Sequence, residues 1–156
     1  MKNGLSELHG KTIDKIYQVD FNTDRHKDIY LPWVFFITFS DMNKFLEIDG
    51  DFDSNYIRIH LYDVLELQHK LKQHHLPDEE GCWCVYDTEQ DETLGLLLGQ
   101  KIASLVYPID DVKSKEIFTE EHKTVFKFIR FQCENFNVTI FKELAAAGLG
   151  LSTNKK

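Results

Sequence analysis

Two segments of this chain share one spacing of leucine, glycine and isoleucine. "LSELHGKTIDKIYQ", residues 5–18, aligns with "LGLLLGQKIASLVY", residues 94–107, at a constant offset of 89 residues. Further along, "FFITFSDMNKFLEI", residues 35–48, aligns with "KFIRFQCENFNVTI", residues 127–140, at an offset of 92. The match includes a glycine and an asparagine as well as apolar residue types. The sequence therefore predicts a duplicated unit, which limits the fold to one built from two related halves.

The repeated unit combines a helical turn with strands. L-x-x-L is a helical spacing, and a glycine two residues later is a usual helix end because glycine adopts the left-handed conformation at little cost. "TIDKIYQVDF", "KIASLVYPI", "WVFFITF" and "TVFKFIRF" are rich in the β-branched and aromatic residues of strands. Short connections then lead to "FLEI" and "NVTIF", as in hairpins. We predict a single α+β domain over residues 1–156, with a mainly antiparallel sheet, a few short helices and pseudo-repeats at about 5–48 and 94–140.

The chain outside the repeats gives weaker signals. Ile57, Ile59 and Leu61 alternate as in a further strand. The segment "VLELQHKLKQHH" predicts a helix that Pro77 ends, with a loose apolar stripe of Val64, Leu65, Leu67 and Leu71. "CWCVY" predicts a short strand, and "DTEQDETLGLLL" a helix with acidic residues in its first turn. "FKELAAAGLGL" predicts a short helix that ends at Gly148, before a fraying "STNKK".

The composition limits the possible partners and compartments. The formal net charge is −8, and no basic run occurs, so we expect no binding to nucleic acid, which needs a basic face. No apolar run approaches the roughly 18 residues of a membrane span, and the N-terminus lacks the apolar region of a secretory signal. Three cysteines do not make a disulfide framework. We therefore expect a cytoplasmic monomer or homodimer whose partner is a small molecule or a basic protein.

One cluster of residues has the side chains that bind zinc. Its members are His69, His74, His75, Cys82 and Cys84. Structural zinc sites usually show a C-x₂₋₄-C spacing, whereas the cysteines here form C-x-C, so two core cysteines and a polar helix end explain the pattern better. We predict no metal and no cofactor. A metal-binding protein or small enzyme that uses this cluster is the alternative, and a dimer that buries the second face of "WVFFITF" is another.

A calcium loop and the common catalytic motifs fit poorly. Asp49, Asp51 and Asp53 stand at positions 1, 3 and 5 of a calcium loop, but Ser54 and His60 replace the required glycine and glutamate. The pattern favours a polar hairpin turn. No glycine-rich phosphate loop and no nucleophile elbow occurs, so we predict no catalytic residues.

An acidic segment surrounds two aromatic residues. Residues 78–92 contain seven acidic residues and no Lys or Arg. Trp83 and Tyr86 are aromatic anchors of the kind that interfaces favour, and a dense acidic patch accelerates capture of a basic partner. A solvated loop that keeps the protein soluble is the alternative. The predicted partner-binding residues are Asp78, Glu79, Glu80, Trp83, Tyr86, Asp87, Glu89, Asp91 and Glu92.

The repeated segments support one resemblance. "LHGKTIDKI" and "FFITFSDMNKFLEI", with "LLGQKIASL" and "KFIRFQCENFNVTI", lie in a small acidic α+β chain without catalytic motifs. This combination, over somewhat more than half the chain, resembles the small bacterial immunity proteins of polymorphic toxin systems. The resemblance implies a cytoplasmic protein that binds a cognate toxin and occludes its active site. It supplies no motif whose functional residues could be transferred. The expected function is non-catalytic neutralisation of a basic partner such as a nuclease toxin.

Overall fold

The strands form two antiparallel sheets. The computed structural model describes residues 5–22, 34–50, 56–74, 82–87, 93–108, 126–142 and 149–155. These residues form nine strands, one α-helix and three 3₁₀ helices. The predicted mainly antiparallel architecture with a few short helices is therefore confirmed, although its strands belong to two sheets.

The first sheet has the strand order β4-β3-β2-β1-β5, and every neighbouring pair is antiparallel. Its members are β1 (Ile13–Asn22), β2 (Val34–Phe39), β3 (Lys44–Gly50), β4 (Ile57–Asp63) and β5 (Cys82–Asp87). The predicted strands at residues 57–61 and "CWCVY" are thus present as β4 and β5.

The second sheet has the order β6-β7-β8-β9 and is also antiparallel. Its members are β6 (Ser104–Val106), β7 (Phe128–Gln132), β8 (Phe136–Lys142) and β9 (Leu149–Lys155). The prediction that "STNKK" frays is wrong, because β9 pairs with β8 over its whole length. The predicted helix before Gly148 falls on residues 143–148, which lie outside the described residues.

The two sheets share one apolar core. Inward residues of the first sheet and of the second belong to a single cluster of buried side chains. The largest of them include Phe35, Phe126 and Phe131. Alternation along a strand directs every second side chain into this core, as with Phe35, Ile37 and Phe39 of β2. Burial of each such ring stabilises the fold by roughly 1.5–3 kcal/mol.

A bulge in β1 reconciles its sequence with this core. Ile13 and Ile16 are both buried, although residues three apart in a regular strand face opposite sides. The register with β2 shifts between them, which turns both side chains inward. The Thr38 hydroxyl lies 3.1 Å from the Lys15 amide and 3.4 Å from the Lys15 carbonyl, so it satisfies the backbone of the bulge.

The sheets are joined where two glycine turns cross. The amide of Gly10 donates to the carbonyl of Ile102 at 2.8 Å, and the amide of Gly99 donates to the carbonyl of Ile13 at 2.7 Å. A second pair of bonds, each 2.9 Å long, runs from the Ile13 amide to Gln100 and from the Ile102 amide to Lys11. Gly10 and Gly99 have φ of +81° and +79°, the left-handed conformation predicted for them. Each ends a turn after a short 3₁₀ helix, Leu5–Leu8 or Leu94–Leu97.

We term the end of the molecule that contains this crossing the crossing end. The opposite end contains the strand termini that lie farthest from the crossing. β1 ends, β2 begins, β3 ends and β4 begins away from the crossing. There Ile57 exchanges two backbone hydrogen bonds with Phe126, at 2.9 and 3.0 Å. A Cβ on Gly50 would lie 2.8 Å from Lys142 Cδ and 3.5 Å from Leu149 Cδ2. The termini of β8 and β9 therefore lie at this end as well, which we term the loop end.

A second, smaller cluster lies on the other face of the first sheet. The α-helix α1 (Leu67–His74), which follows a 3₁₀ turn at Val64–Glu66, packs here. Leu67 and Leu71 of the helix belong to this cluster with Phe36 and Phe45. The predicted helix is present, but its predicted stripe is partly wrong, because Val64 and Leu65 are exposed. They form the 3₁₀ turn, whose Asp63 side chain caps the Leu65 amide at 2.9 Å.

The crossing predicts a specific sensitivity to substitution. Gly10→Ala and Gly99→Ala should each lower the free energy of unfolding by about 1–2 kcal/mol, because an L-residue is strained at such a φ. Nothing lies within 4 Å of a Cβ at Gly99, so the cost there is conformational and not steric. Urea denaturation of the variants measures the loss.

The control is asparagine at the same positions. Asparagine tolerates the left-handed region better than alanine, so Gly10→Asn and Gly99→Asn should lose less stability than the alanine variants. Equal losses for alanine and asparagine at Gly99 would contradict an origin in backbone strain.

Candidate functional site

Strand β5 carries the described part of the predicted partner-binding segment. Within the register, Trp83 pairs with Phe21, Tyr86 with Gln18 and Asp87 with Tyr17. Asp87 is exposed. The other six predicted residues lie outside the described part of the chain, namely Asp78, Glu79, Glu80, Glu89, Asp91 and Glu92.

The strand separates the acidic residues into two runs. One run ends two residues before Cys82, and the other begins with Asp87. Six residues of strand span about 20 Å. That distance is more than twice the Debye length of about 8 Å at physiological ionic strength, so the two runs act as separate charge centres.

The excess negative charge lies outside the described residues. The described residues include ten acidic and eleven basic side chains, a net charge of +1. Several segments adjoin in sequence a strand end at the loop end or the start of β5. They are residues 23–33, 51–55, 75–81, 109–125 and 143–148. These segments contain thirteen acidic and five basic residues, a net charge of −8. The described residues are thus nearly neutral together, and the net negative charge of the chain belongs to the segments between them.

The crossing end has charges of both signs. Lys44 forms an ion pair with Glu7 at 3.1 Å, with both side chains about half exposed, and Lys11 donates to the Asp41 carbonyl. The Asp41 side chain accepts from the Thr12 amide at 3.0 Å. Exposed pairs of this kind contribute little to stability, roughly 0–1 kcal/mol, and leave no net field. Among the described residues of the crossing end, the charges of Glu7, Lys11 and Lys44 thus nearly cancel, and the acidic run that begins with Asp87 follows the end of β5 on this side of the sheet.

Surface cavities of the described residues occur at the crossing end and do not include Asp87. One, of about 390 Å³, is lined by Leu5, Ser6, His9, Ser104, Leu105 and Tyr107. Another, of about 440 Å³, is lined by Glu7, Lys11, Met42, Asn43 and Lys44. Among the described residues, β5 is the outermost strand of its sheet.

A buried ionic network lies beside α1 and was not anticipated from the sequence. Glu47 of β3 is only 8% exposed, and its carboxylate lies 3.3 Å from the Lys70 ammonium. The same ammonium lies 4.0 Å from the centre of the Tyr62 ring. In the sequence, Glu47 is a single acidic residue between the apolar positions of β3. Nothing near it indicates that its partner is Lys70, which lies 23 residues away.

Tyr62 and Lys70 keep their protons at neutral pH, because the pKa of each is raised. Burial raises the pKa of Tyr62 above its usual 10.0, and the negative charge of Glu47 adds to the increase. Burial is also the largest effect on Lys70 and would lower its pKa, but the Glu47 carboxylate and the Tyr62 hydroxyl together outweigh it. The pKa of Lys70 therefore lies above 10.5. Neither group is tuned toward pH 7, as a general acid or base would be, so the network supports the sheet and the helix.

The predicted metal ligands are only partly described. His69 is exposed on α1, where its ring contacts Gln73 at 3.1 Å. His74 is at the end of the same helix and the two cysteines lie on β5, whereas His75 is outside the described residues. Among the side chains that the structure describes, no three His, Cys, Asp or Glu residues are grouped as metal ligands.

Asp49, the first residue of the calcium-loop pattern, has a partner within the sheet. Asp49 pairs with Arg58 on the neighbouring strand at 2.6 Å, so its carboxylate is bound within the sheet. Asp51, Asp53 and Ser54 lie outside the described residues, and His60 is on β4 opposite Glu47. The predicted hairpin connection between β3 and β4 agrees with this register.

Comparison of the chain with protein-family models, with curated proteins and with solved structures finds no match. In the described chain, no helix has the length and apolar character required to cross a membrane.

The network predicts a coupled titration. Glu47→Gln should lower the pKa of both Tyr62 and Lys70, because it removes the charge that raises each of them. It should also reduce the free energy of unfolding by about 1–3 kcal/mol, the cost of losing a charged hydrogen bond in a partly buried site. NMR titration of the tyrosine ring and the lysine side chain measures both pKa values.

The sign of the pH dependence follows from the two raised pKa values. The folded protein retains protons that the unfolded chain releases, so this stabilisation is fully present below pH 10 and is lost as the pH rises through the folded values. Asp49→Asn is the matched control, because it removes the same charge from the same strand without a direct effect on Tyr62. A Tyr62 pKa that is unchanged in Glu47→Gln would contradict the coupling.

Proposed function

We propose that this protein is a non-catalytic binding protein that neutralises a basic partner, such as a nuclease toxin, through an acidic surface along β5. The observation that carries the proposal is the separation of charge. A nearly neutral sandwich supports acidic residues before and after one edge strand and in the connections at the loop end. A field of one sign at one region of a protein steers an oppositely charged partner to that region.

The chemistry of a nuclease suits such a surface. An enzyme that acts on nucleic acid needs basic side chains to hold the phosphate backbone. Carboxylates at both ends of β5 would occupy those basic groups as a polyanion does. In this proposal Asp87 and the acidic residues around it contact the partner, and Trp83 and Tyr86 supply apolar contacts in the centre. The resemblance to immunity proteins of polymorphic toxin systems is consistent with this role.

We also propose that the two halves of the sandwich arose from one duplicated segment. The four hydrogen bonds at the crossing support it, because an offset of 89 residues converts each bond into its counterpart. Gly10 bonded to Ile102 becomes Gly99 bonded to Ile13. The strand order β4-β3-β2-β1 also corresponds to β9-β8-β7-β6.

The strand registers refine the alignment of the halves. Ile16 pairs with Ile37 in the first sheet, and Leu105 pairs with Phe131 in the second. The counterpart of Ile37 is then Phe131, an offset of 94, whereas β3 and β8 keep the offset of 92. The hairpin between β7 and β8 is accordingly two residues shorter than the hairpin between β2 and β3. The identical Phe36 and Phe128 are therefore not positional equivalents.

The function is tested with the product of the adjacent gene. Expressed alone in a bacterial host, that product should arrest growth, and co-expression of this protein should restore it. A triple variant, Glu79→Lys with Glu80→Lys and Glu89→Lys, should slow association with the purified partner by about tenfold or more and reduce its salt dependence. Stopped-flow measurement at two salt concentrations gives both quantities.

The control variant changes the net charge by the same amount elsewhere. Asp14, Glu66 and Glu134 are exposed residues away from β5, and each is replaced by Lys in the control. The control should retain most of the association rate. Equal slowing by both triple variants would show that only net charge matters, and an adjacent gene whose product is harmless would remove the support for an immunity role.

A further inference from the structure

The outer face of the second sheet differs in charge from the rest of this acidic chain. Inward residues of β6 to β9 belong to the core, so alternation directs the residues between them to the outer face. They are the even-numbered residues of β6, β7 and β9 and the odd-numbered residues of β8. None of them is acidic, although 26 of the 156 residues of the chain are Asp or Glu. Arg130 is their single charged side chain, so this face is positive.

Arg130 is held in position by two neighbours on the outer face. Its Nε donates to the Thr139 hydroxyl at 3.0 Å, and its guanidinium carbon lies 4.9 Å from the centre of the Phe128 ring. Thr139 is only 7% exposed, so the hydrogen bond is sheltered from solvent. Both contacts restrict the arginine side chain, and neither occupies the N–H groups of its two terminal nitrogens.

The guanidinium of Arg130 has no counter-ion in the part of the chain that the structure describes, whereas Arg58 pairs with Asp49 at 2.6 Å. Arg130 is only partly buried, so a ligand can reach it. A fixed guanidinium with unoccupied N–H groups binds a carboxylate through two parallel hydrogen bonds. Charge and geometry therefore favour an anionic ligand.

The groups around Arg130 are suited to hydroxyl groups. Ser152 stands opposite Thr139 and is exposed, and Asn137 stands diagonally to Arg130, about 7–8 Å away. The Oδ1 atom of Asn137 is buried, and no described group donates a hydrogen bond to it. A hydroxyl supplies the missing donor, which a carboxylate cannot do. A ligand with hydroxyl groups beside its anion therefore satisfies more of this face than an anion alone.

We propose that the outer face of the second sheet binds an acidic sugar, with the carboxylate on Arg130 and the hydroxyl groups on Asn137 and Ser152. A six-membered sugar ring that carries a carboxylate is comparable in length with the separation of these positions. An acidic peptide brings carboxylates without adjacent hydroxyl groups, so the unsatisfied acceptor of Asn137 favours the sugar. The inference goes beyond the proposed function and does not rest on it, because the ligand is anionic and the site lies on the sheet that lacks β5.

The test titrates the full-length protein with small ligands at pH 7 and follows the titration by NMR. The probes are glucuronic acid and galacturonic acid, with glucose and galactose as their neutral matches. Acetate, inorganic phosphate and a blocked Gly-Glu-Gly-Glu-Gly peptide are the anions without a sugar ring. The Nε–H signal of Arg130 and the backbone amides of β7 to β9 report on the site. At least one uronic acid should bind with a Kd on the order of 1 mM, the range for a ligand of this size. The neutral sugars and the other anions should bind about tenfold or more weakly, because each lacks one of the two kinds of group.

Variants separate the contacts with the carboxylate from those with the hydroxyl groups. Arg130→Gln should weaken uronic acid binding about tenfold or more, and Arg130→Lys should restore only part of it, because lysine keeps the charge but lacks the planar pair of donors. Asn137→Ala should weaken binding of the uronic acid and leave that of acetate unchanged. Ser152→Asp places an acidic side chain at an exposed position beside the site and should abolish binding without altering the core. Lys101→Gln removes one exposed positive charge at the crossing end, and this control should bind as the unchanged protein does.

Four results would overturn the inference. Acetate or phosphate that binds as tightly as the uronic acids would reduce the site to a simple anion site, and tighter binding of the peptide would assign the face to an acidic protein. Unchanged signals of β7 to β9 with every ligand would remove the site, and equal affinity of Ser152→Asp and the unchanged protein would place the binding elsewhere. Each of these results leaves the proposed binding of a basic partner untouched, because that binding is measured with another ligand and other variants.

Discussion

The crossing of the two glycine turns is the constraint on which the rest of the structure depends. Four backbone hydrogen bonds tie the start of the first sheet to the start of the second. Because these bonds are reciprocal, they hold β1 and β6 in a fixed relation, and the strands that follow each of them extend its sheet. The inward faces of both sheets then meet in one core. A side chain at Gly10 or Gly99 would be strained at the positive φ that the crossing requires. The two glycines therefore contribute to the stability of the crossing through their backbone conformation.

The spacing of leucine and glycine that recurs in the sequence made the parts near this crossing predictable. The spacing L-x-x-L-x-G specified a helical turn and a left-handed glycine, and both halves have them, although each turn is a 3₁₀ helix of four residues. The two sheets were harder to anticipate, because alternation along a strand does not show which strands pair. The C-terminal strand β9 was missed for a related reason. "STNKK" is polar and lies at the end of the chain, and only its pairing with β8 makes it a strand.

The candidate site was predictable in composition but not in arrangement. Charge counting identified the acidic segment and the pattern of "CWCVY" predicted the strand within it, whereas the sheet was needed to show that this strand pairs with β1. The network of Glu47, Lys70 and Tyr62 was not predictable, because its members come from β3, β4 and α1 and meet only when the helix packs on the sheet. Long-range ion pairs leave no local pattern in a sequence, unlike helix stops and strand alternation.

The two sheets differ in the elements that lie beyond the four strands of each. Strands β1 to β4 have counterparts in β6 to β9, and their inward residues serve the common core. In the part of the chain that the structure describes, the first sheet has a further strand, β5, beyond β1, and α1 against its outer face, whereas the second sheet has neither. The network of Glu47 with Lys70 anchors that helix, and the helix leads toward the first acidic run. Core residues are constrained by packing in both halves, so an added strand with acidic flanks could change its charge and length without disturbing the crossing.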